Sequence, residues 1–227
     1  MTTIPNLVAN AVNNFHNREA VVDGDLRWTF EEYADQINGA TKAFISKGIQ
    51  PGDRIAVWAP NTARWPVAAL GAHCAGAVLV PINTRFKGEE AGYILSRTSA
   101  KILFTVTDFL DTNYVDLLGD SINQLDLEEI VVLKGSTPSN CTNWEDFINS
   151  GVSISELKRD ARSKQVADND LCHILFTSGT TGKPKGAMLE HAAVCRSYLT
   201  WCDVIGLTAT DRYLVINPFF HTFGLNA

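Results

Sequence analysis

The 227-residue sequence contains no uninterrupted apolar run approaching the roughly 18 residues that would cross a bilayer, so no transmembrane helix is expected. Residues 1–17 do not join a basic leader to a continuous apolar region, so no secretory signal is expected there and the cytoplasm is the default expectation. Cysteine is sparse. Cys74, Cys141, Cys172, Cys195 and Cys202 are odd in number and lack CxxC spacing, so reduced thiols are expected rather than a disulfide framework. Positive charge is also short, with 19 basic against 25 acidic residues and a net charge of −6. No basic run is interleaved with aromatics, and a nucleic-acid partner is not expected. Repeats, low-complexity tracts and an obvious linker are absent; residues 134–143 are the loosest stretch.

With 45% hydrophobic residues, the chain is long enough to bury a substantial core. Apolar positions 7, 8, 11, 12 and 15 recur at helical spacing after Pro5. Asp23-Gly24-Asp25 then separates two short apolar runs as a hairpin turn, and Thr29 with Glu32 forms a capping box for a helix ending at Gly48. From residue 51 the pattern alternates regularly. Strands are predicted over 54–59, 77–80, 101–106, 130–133 and 213–217, with helices over 63–75, 88–97, 108–118, 144–149, 154–166 and 190–205. Continuous apolar strands separated by helices imply an α/β fold, a mainly parallel sheet covered on both faces.

The most distinctive stretch is ILFTSGTTGKPKG, residues 174–186. An apolar strand gives way abruptly to Gly179, Gly182 and Gly186, which permit positive φ and close backbone approach, and to the hydroxyls of Thr177, Ser178, Thr180 and Thr181. Lys183 and Lys185 add positive charge around Pro184. Such a bend turns donors toward a polyphosphate, each charge-assisted bond contributing about 1.5–3 kcal/mol. It is not a Walker A loop, because two residues rather than four separate Gly179 from Gly182 and Pro184 follows Lys183. The competing reading is a Gly/Thr-rich surface turn without a ligand. His191, Cys195 and Cys202 share helical spacing, but no fourth ligand completes a metal set; a buried or half-buried helix face is expected, and no metal ligands are assigned.

The run TSGTTGKPKG at 177–186 resembles the phosphate-binding signature of adenylate-forming enzymes. RIAVWAPNT at 54–62, GAVLVPINT at 76–84 and PFFHTFG at 218–224 are similar to bacterial fatty-acid and related acyl-CoA ligases, one subgroup of which activates carboxylated steroid-degradation fragments. The resemblance implies that a carboxylic acid attacks the α-phosphate of ATP, releasing pyrophosphate, and that CoA then displaces AMP, with Mg²⁺ assisting. It assigns Thr177, Ser178, Gly179, Thr180, Thr181, Gly182, Lys183 and Lys185 to the nucleotide phosphates. His221 is assigned to the carboxylate and Phe220 to the acyl pocket; the lesser alternative for His221 is an exposed loop imidazole. For Phe219 and Phe223, core packing and ligand contact both remain open.

The resemblance also implies a division into a helix–hairpin–helix segment over 1–50, a parallel unit over 51–189 ending in the phosphate loop, and the start of a second α/β unit over 190–227. Later family motifs, including a mobile C-terminal lid, do not occur within these residues, so this chain alone is expected to be inactive or nearly so. Apolar residues between 20 and 48 are expected to lack cover and to favour a homodimer. The alternatives are an aryl-acid ligase, a non-catalytic phosphate-binding fragment, or a product with no role.

Overall fold

The computed structural model describes residues 2–177 and 184–225. Helix α1 (Ile4–Phe15) starts where Thr3 accepts the Asn6 amide, with proline in its first turn. Strands β1 (Glu19–Asp23) and β2 (Leu26–Thr29) form the expected hairpin, and both halves of the Thr29–Glu32 capping box are made at the start of α2 (Phe30–Ser46). Gly48, at φ +81°, ends that helix.

The chain then builds β3 (Arg54–Trp58), α3 (Arg64–Cys74), β4 (Val78–Pro81), α4 (Gly88–Thr98) and β5 (Ile102–Val106). These are followed by α5 (Tyr114–Leu118), β6 (Glu129–Lys134), β7 (Thr142–Asn143), α6 (Trp144–Asn149) and α7 (Glu156–Lys164). Last come β8 (Leu171–Thr177), β9 (Lys185–Glu190), α8 (His191–Ile205) and the short α9 (Thr222–Leu225). Seven strands run in the order β7-β6-β5-β3-β4-β8-β9, parallel as far as β8. The α/β fold with a mainly parallel sheet is therefore as expected. Strands β3 and β5 are buried along nearly their whole length, which is why they read as unbroken apolar runs.

Helix α2 packs against α3 so closely that a Cβ on Gly71 would lie 2.6 Å from the Ala40 Cβ. Ile37, Ala40, Ala43 and Phe44 are fully buried beneath this contact, and Phe44 meets Phe104 and Phe147 edge-on. The apolar cover expected to be missing between residues 20 and 48 is thus largely present. Large exposed apolar side chains cluster instead toward the other end of the chain: Met188, Val204, Leu214 and Ile216 are each at least 65% exposed.

Three local expectations are corrected, and one strand is added. Residues 108–118 are not one helix: Phe109 and Thr112 close a turn in which Leu110 and Asp111 take positive φ, and only Tyr114–Leu118 is helical, capped by Asn113. Residues 134–143 are not loose throughout, because β7 adds to the sheet beside β6. β9, over residues for which no strand is predicted, runs antiparallel to β8. Residues 213–217 form no strand. Their apolar pattern is β-like, but no described strand lies beside them to take up main-chain hydrogen bonds, and the segment is held at its ends.

Candidate functional site

The carboxyl ends of parallel strands are where α/β sheets place ligands. Strand β8 ends there at Thr177, which faces Lys185, the first residue of β9, across the antiparallel pair. Both side chains are exposed at the mouth of the hairpin. Ser178, Gly179, Thr180, Thr181, Gly182 and Lys183 lie outside the described residues. Gly186 has a role different from the one expected. It sits in β9 without positive φ, and a Cβ there would come within 2.9 Å of Ile174 Cγ2 and 3.2 Å of the Phe176 ring. Its missing side chain lets β8's apolar residues lie across β9, rather than admitting a ligand.

Beside the hairpin, a cleft of about 870 Å³ runs between α4 and the β8–β9 face, with Phe176, Pro184, Lys185 and Gly186 among its walls. It continues to Gly52 and Asp170 at the amino ends of the strands, so only its upper lip belongs to the hairpin.

Two further loops at the carboxyl edge are tied down by side chains. Trp58 Nε1 donates to the Asn83 carbonyl at 3.0 Å, and Tyr114, stacked on Trp58 at 4.4 Å, donates its hydroxyl to the Thr84 carbonyl at 2.8 Å. These bonds fix the 81–85 loop after β4. In the loop after β3, Asn61 Oδ1 accepts the Phe219 amide at 2.8 Å and Nδ2 donates to the Asn217 carbonyl at 2.9 Å. The Phe219 ring packs on Trp65 at 5.2 Å, and Arg212 pairs with Glu19 on the β1–β2 hairpin. The 211–221 segment is therefore suspended over the end of the central strand β3.

At the end of that segment Phe220 is half-buried and His221 is exposed. His221 Nδ1 accepts the Phe223 amide at 3.3 Å, and its main chain donates to the Pro218 carbonyl at 3.0 Å. Gly224 is required by this turn, since a Cβ would lie 2.1 Å from the Pro218 oxygen. Of the two phenylalanines left open, Phe219 is a packing residue, while Phe223 is 46% exposed and meets Trp201 edge-on. Among the described residues, no hydrogen bond joins Phe220 or His221 to Thr177 or Lys185. Asn61, Trp58 and Tyr114 received no role from sequence reasoning. Asn61 and Trp58 lie in the WAPNT run, but their partners are set only by tertiary contact.

Behind the hairpin, on the helical side of β8, three histidines are buried together. His173 Nε2 lies 3.1 Å from His73 Nε2, and the His73 and His191 ring centroids are 5.6 Å apart. His191 Nδ1 accepts the Ile4 amide at 3.3 Å, clipping α1 to the start of α8. Burial pushes His173 down to about 3 and, opposed by Asp170, His191 down to about 4. Burial and its two histidine neighbours hold His73 well below the ordinary imidazole range. All three are thus neutral near pH 7. Cys195 is buried and Cys202 half-buried on α8, as the helix-face reading required. Burial raises the Cys172 thiol to about 12, which suppresses thiolate chemistry there.

The chain is 39% identical over its whole length to a 3-[(3aS,4S,7aS)-7a-methyl-1,5-dioxo-octahydro-1H-inden-4-yl]propanoyl:CoA ligase of Rhodococcus jostii, covering 45% of that protein. It is 37% identical to the Mycobacterium tuberculosis ligase of the same name, covering 44%. Among solved structures it is similar to the anthranilate CoA ligase AuaEII in complex with anthranoyl-AMP, with a TM-score of 0.86 and 25% identity over 99% of this chain and 42% of that one. The chain spans less than half the length of these relatives. Residues 8–227 match the family described as AMP-binding enzyme, and on that match the chain belongs to the AMP-binding, adenylate-forming family.

Proposed function

We propose that this chain supplies the polyphosphate-gripping part of an ATP-dependent acid–CoA ligase. The observation that carries the reading is where the TSGTTGKPKG run is anchored: β8 ends at Thr177, at the carboxyl end of a parallel strand, opposite Lys185 at the start of β9, and both side chains are exposed. In this reading a carboxylate attacks the α-phosphorus of ATP, the bond to the bridging oxygen breaks, and pyrophosphate departs. The thiol of CoA then displaces AMP to form the thioester. Thr177, Ser178, Gly179, Thr180, Thr181, Gly182, Lys183 and Lys185 hold the departing phosphates, whose growing charge is the main demand of the first step. Phe220 and His221, on the segment suspended by Asn61, border the acid.

Mg²⁺ accompanies the triphosphate in such chemistry as a charge-neutralising ion. Among the described residues no group of three or more His, Cys, Asp or Glu side chains is placed to hold a metal ion, and no step is assigned to it here. No helix among the described residues is long and apolar enough to cross a membrane.

The relatives named above favour a fused-ring propanoate over a long-chain fatty acid, and an aryl acid is the second candidate. A pyrophosphate-release assay of the full-length gene product with ATP, Mg²⁺ and CoA tests this against bicyclic propanoates, medium- and long-chain fatty acids and benzoates. Acid-dependent release with a preference for the bicyclic acids is expected. Release that does not depend on any acid would refute the ligase reading.

A further inference from the structure

The loop that carries Asn61 is itself pinned. Ala59 and Ala63, two residues to either side, are buried; the Ala63 amide donates to Asp23 Oδ2 of the β1–β2 hairpin at 2.8 Å, and the Trp65 amide donates back to the Thr62 carbonyl at 3.1 Å. The carboxamide is therefore a fixed point just past the buried end of β3. Its two bonds bracket Pro218, which has no N–H to offer: one reaches the Asn217 carbonyl and the other the Phe219 amide.

Beyond that grip the chain turns. The Pro218 carbonyl accepts the His221 amide, so Phe219 and Phe220 form the middle of a four-residue turn and His221 ends it. On the far side the His221 carbonyl accepts the Leu225 amide at 2.9 Å, and the Tyr198 hydroxyl donates to the Leu225 carbonyl. The turn is thus closed by its own main chain and backed by the Phe219 ring on Trp65. What Asn61 adds is its placement over the sheet. His221 lies two residues past the gripped amide, at most about 7 Å of chain, so a shift of the turn passes directly to Phe220 and His221. Among the described residues no hydrogen bond joins Asn61 to Thr177 or Lys185, so the same shift leaves the phosphate side alone.

We infer that Asn61 is a positioning residue for the acid substrate: its clamp on 217 and 219 sets Phe220 and His221 against the carboxylic acid and leaves the grip on ATP untouched. The inference rests on the ligase reading above. The test is acid-dependent pyrophosphate release by the full-length gene product, with acid and ATP varied in turn. Asn61→Ala is expected to lower kcat/KM for the acid about ten-fold or more, because a misplacement of about 1 Å can cost on the order of 10²-fold, while KM for ATP stays within about two-fold. Asn61→Asp, of the same size, keeps an acceptor for the Phe219 amide, loses the donor to Asn217 and should show the same split. Gly71→Ala, destabilising at the α2–α3 contact, is the control; at a temperature where every variant is folded it should leave both constants unchanged. Equal losses toward acid and ATP, or the same acid loss in Gly71→Ala, would make Asn61 a stabilising residue only and overturn the inference. So would an unchanged kcat/KM for the acid in either folded Asn61 variant. An unsubstituted enzyme with no acid-dependent release is a separate result, which refutes the ligase reading and this inference with it.

Discussion

Asn61 accepts the Phe219 amide at 2.8 Å across 158 residues of sequence, and the other end of the same carboxamide donates to the Asn217 carbonyl. One side chain thus does for the 217–219 segment what a neighbouring strand would do, pairing both a donor and an acceptor of its main chain. The segment leads directly into Phe220 and His221, so the clamp sets their height above the sheet. Asn61→Ala is expected to cost about 1–2 kcal/mol, one net hydrogen bond or somewhat more, and to accelerate amide exchange at Phe219. Asn61→Asp keeps the acceptor but sets a carboxylate oxygen against the Asn217 carbonyl, and should be no better than alanine. Denaturant titration with amide exchange checks both; unchanged exchange at Phe219 would contradict the clamp.

The α2–α3 contact makes a sterically sharp prediction. A methyl group at Gly71 would meet Ala40 Cβ at 2.6 Å and the Thr41 amide nitrogen at 3.2 Å, so the helices must separate. Gly71→Ala should therefore destabilise the chain by about 1–3 kcal/mol despite alanine's better helix propensity. Adding Ala40→Gly should recover part of the loss. A double-mutant cycle measures that coupling, and strict additivity would show that the helices do not meet there.

The buried histidines predict an acid-sensitive fold. As pH falls below the ordinary imidazole value of 6.5, the unfolded chain takes up protons, while folded His191 does so only near 4 and His173 near 3. The unfolded state then binds more protons, so stability is full above 6.5 and declines through this window by up to about 1.4 kcal/mol per pH unit for each histidine. His191→Gln, which retains an acceptor for the Ile4 amide, should flatten the decline between pH 6 and 4. An unchanged slope in denaturant titrations across that range would contradict burial of the neutral ring.

Much of the fold could be read from local pattern because the pattern had a single physical cause. The unbroken apolar runs of β3 and β5 reflect burial on both faces, and the Thr29–Glu32 box and Gly48 are punctuation that acts within one turn of the chain. What escaped depends on distant partners. Residues 213–217 have strand composition but no adjacent strand among the described residues, and β7 is two residues long, too short to carry a period. The direction of β9 is set by pairing and not by composition. Near the candidate site, the glycines and hydroxyls of 177–186 were conspicuous, whereas Asn61, Trp58 and Tyr114 are ordinary residues made important by the carbonyls they reach. The three-histidine cluster, drawn from α3, β8 and α8, had no signature along the chain at all.

The central claim is that the β8–β9 hairpin grips the outer phosphates of a nucleotide. Calorimetric titration with pyrophosphate, ATP and adenosine tests it most directly, on the unsubstituted chain and on Lys185→Ala. Saturable pyrophosphate binding is predicted, competed by ATP but not by adenosine, and weakened about ten-fold by loss of the lysine's charge-assisted contact. Absence of saturable pyrophosphate binding, or binding that Lys185→Ala leaves unchanged and adenosine displaces, would contradict the account.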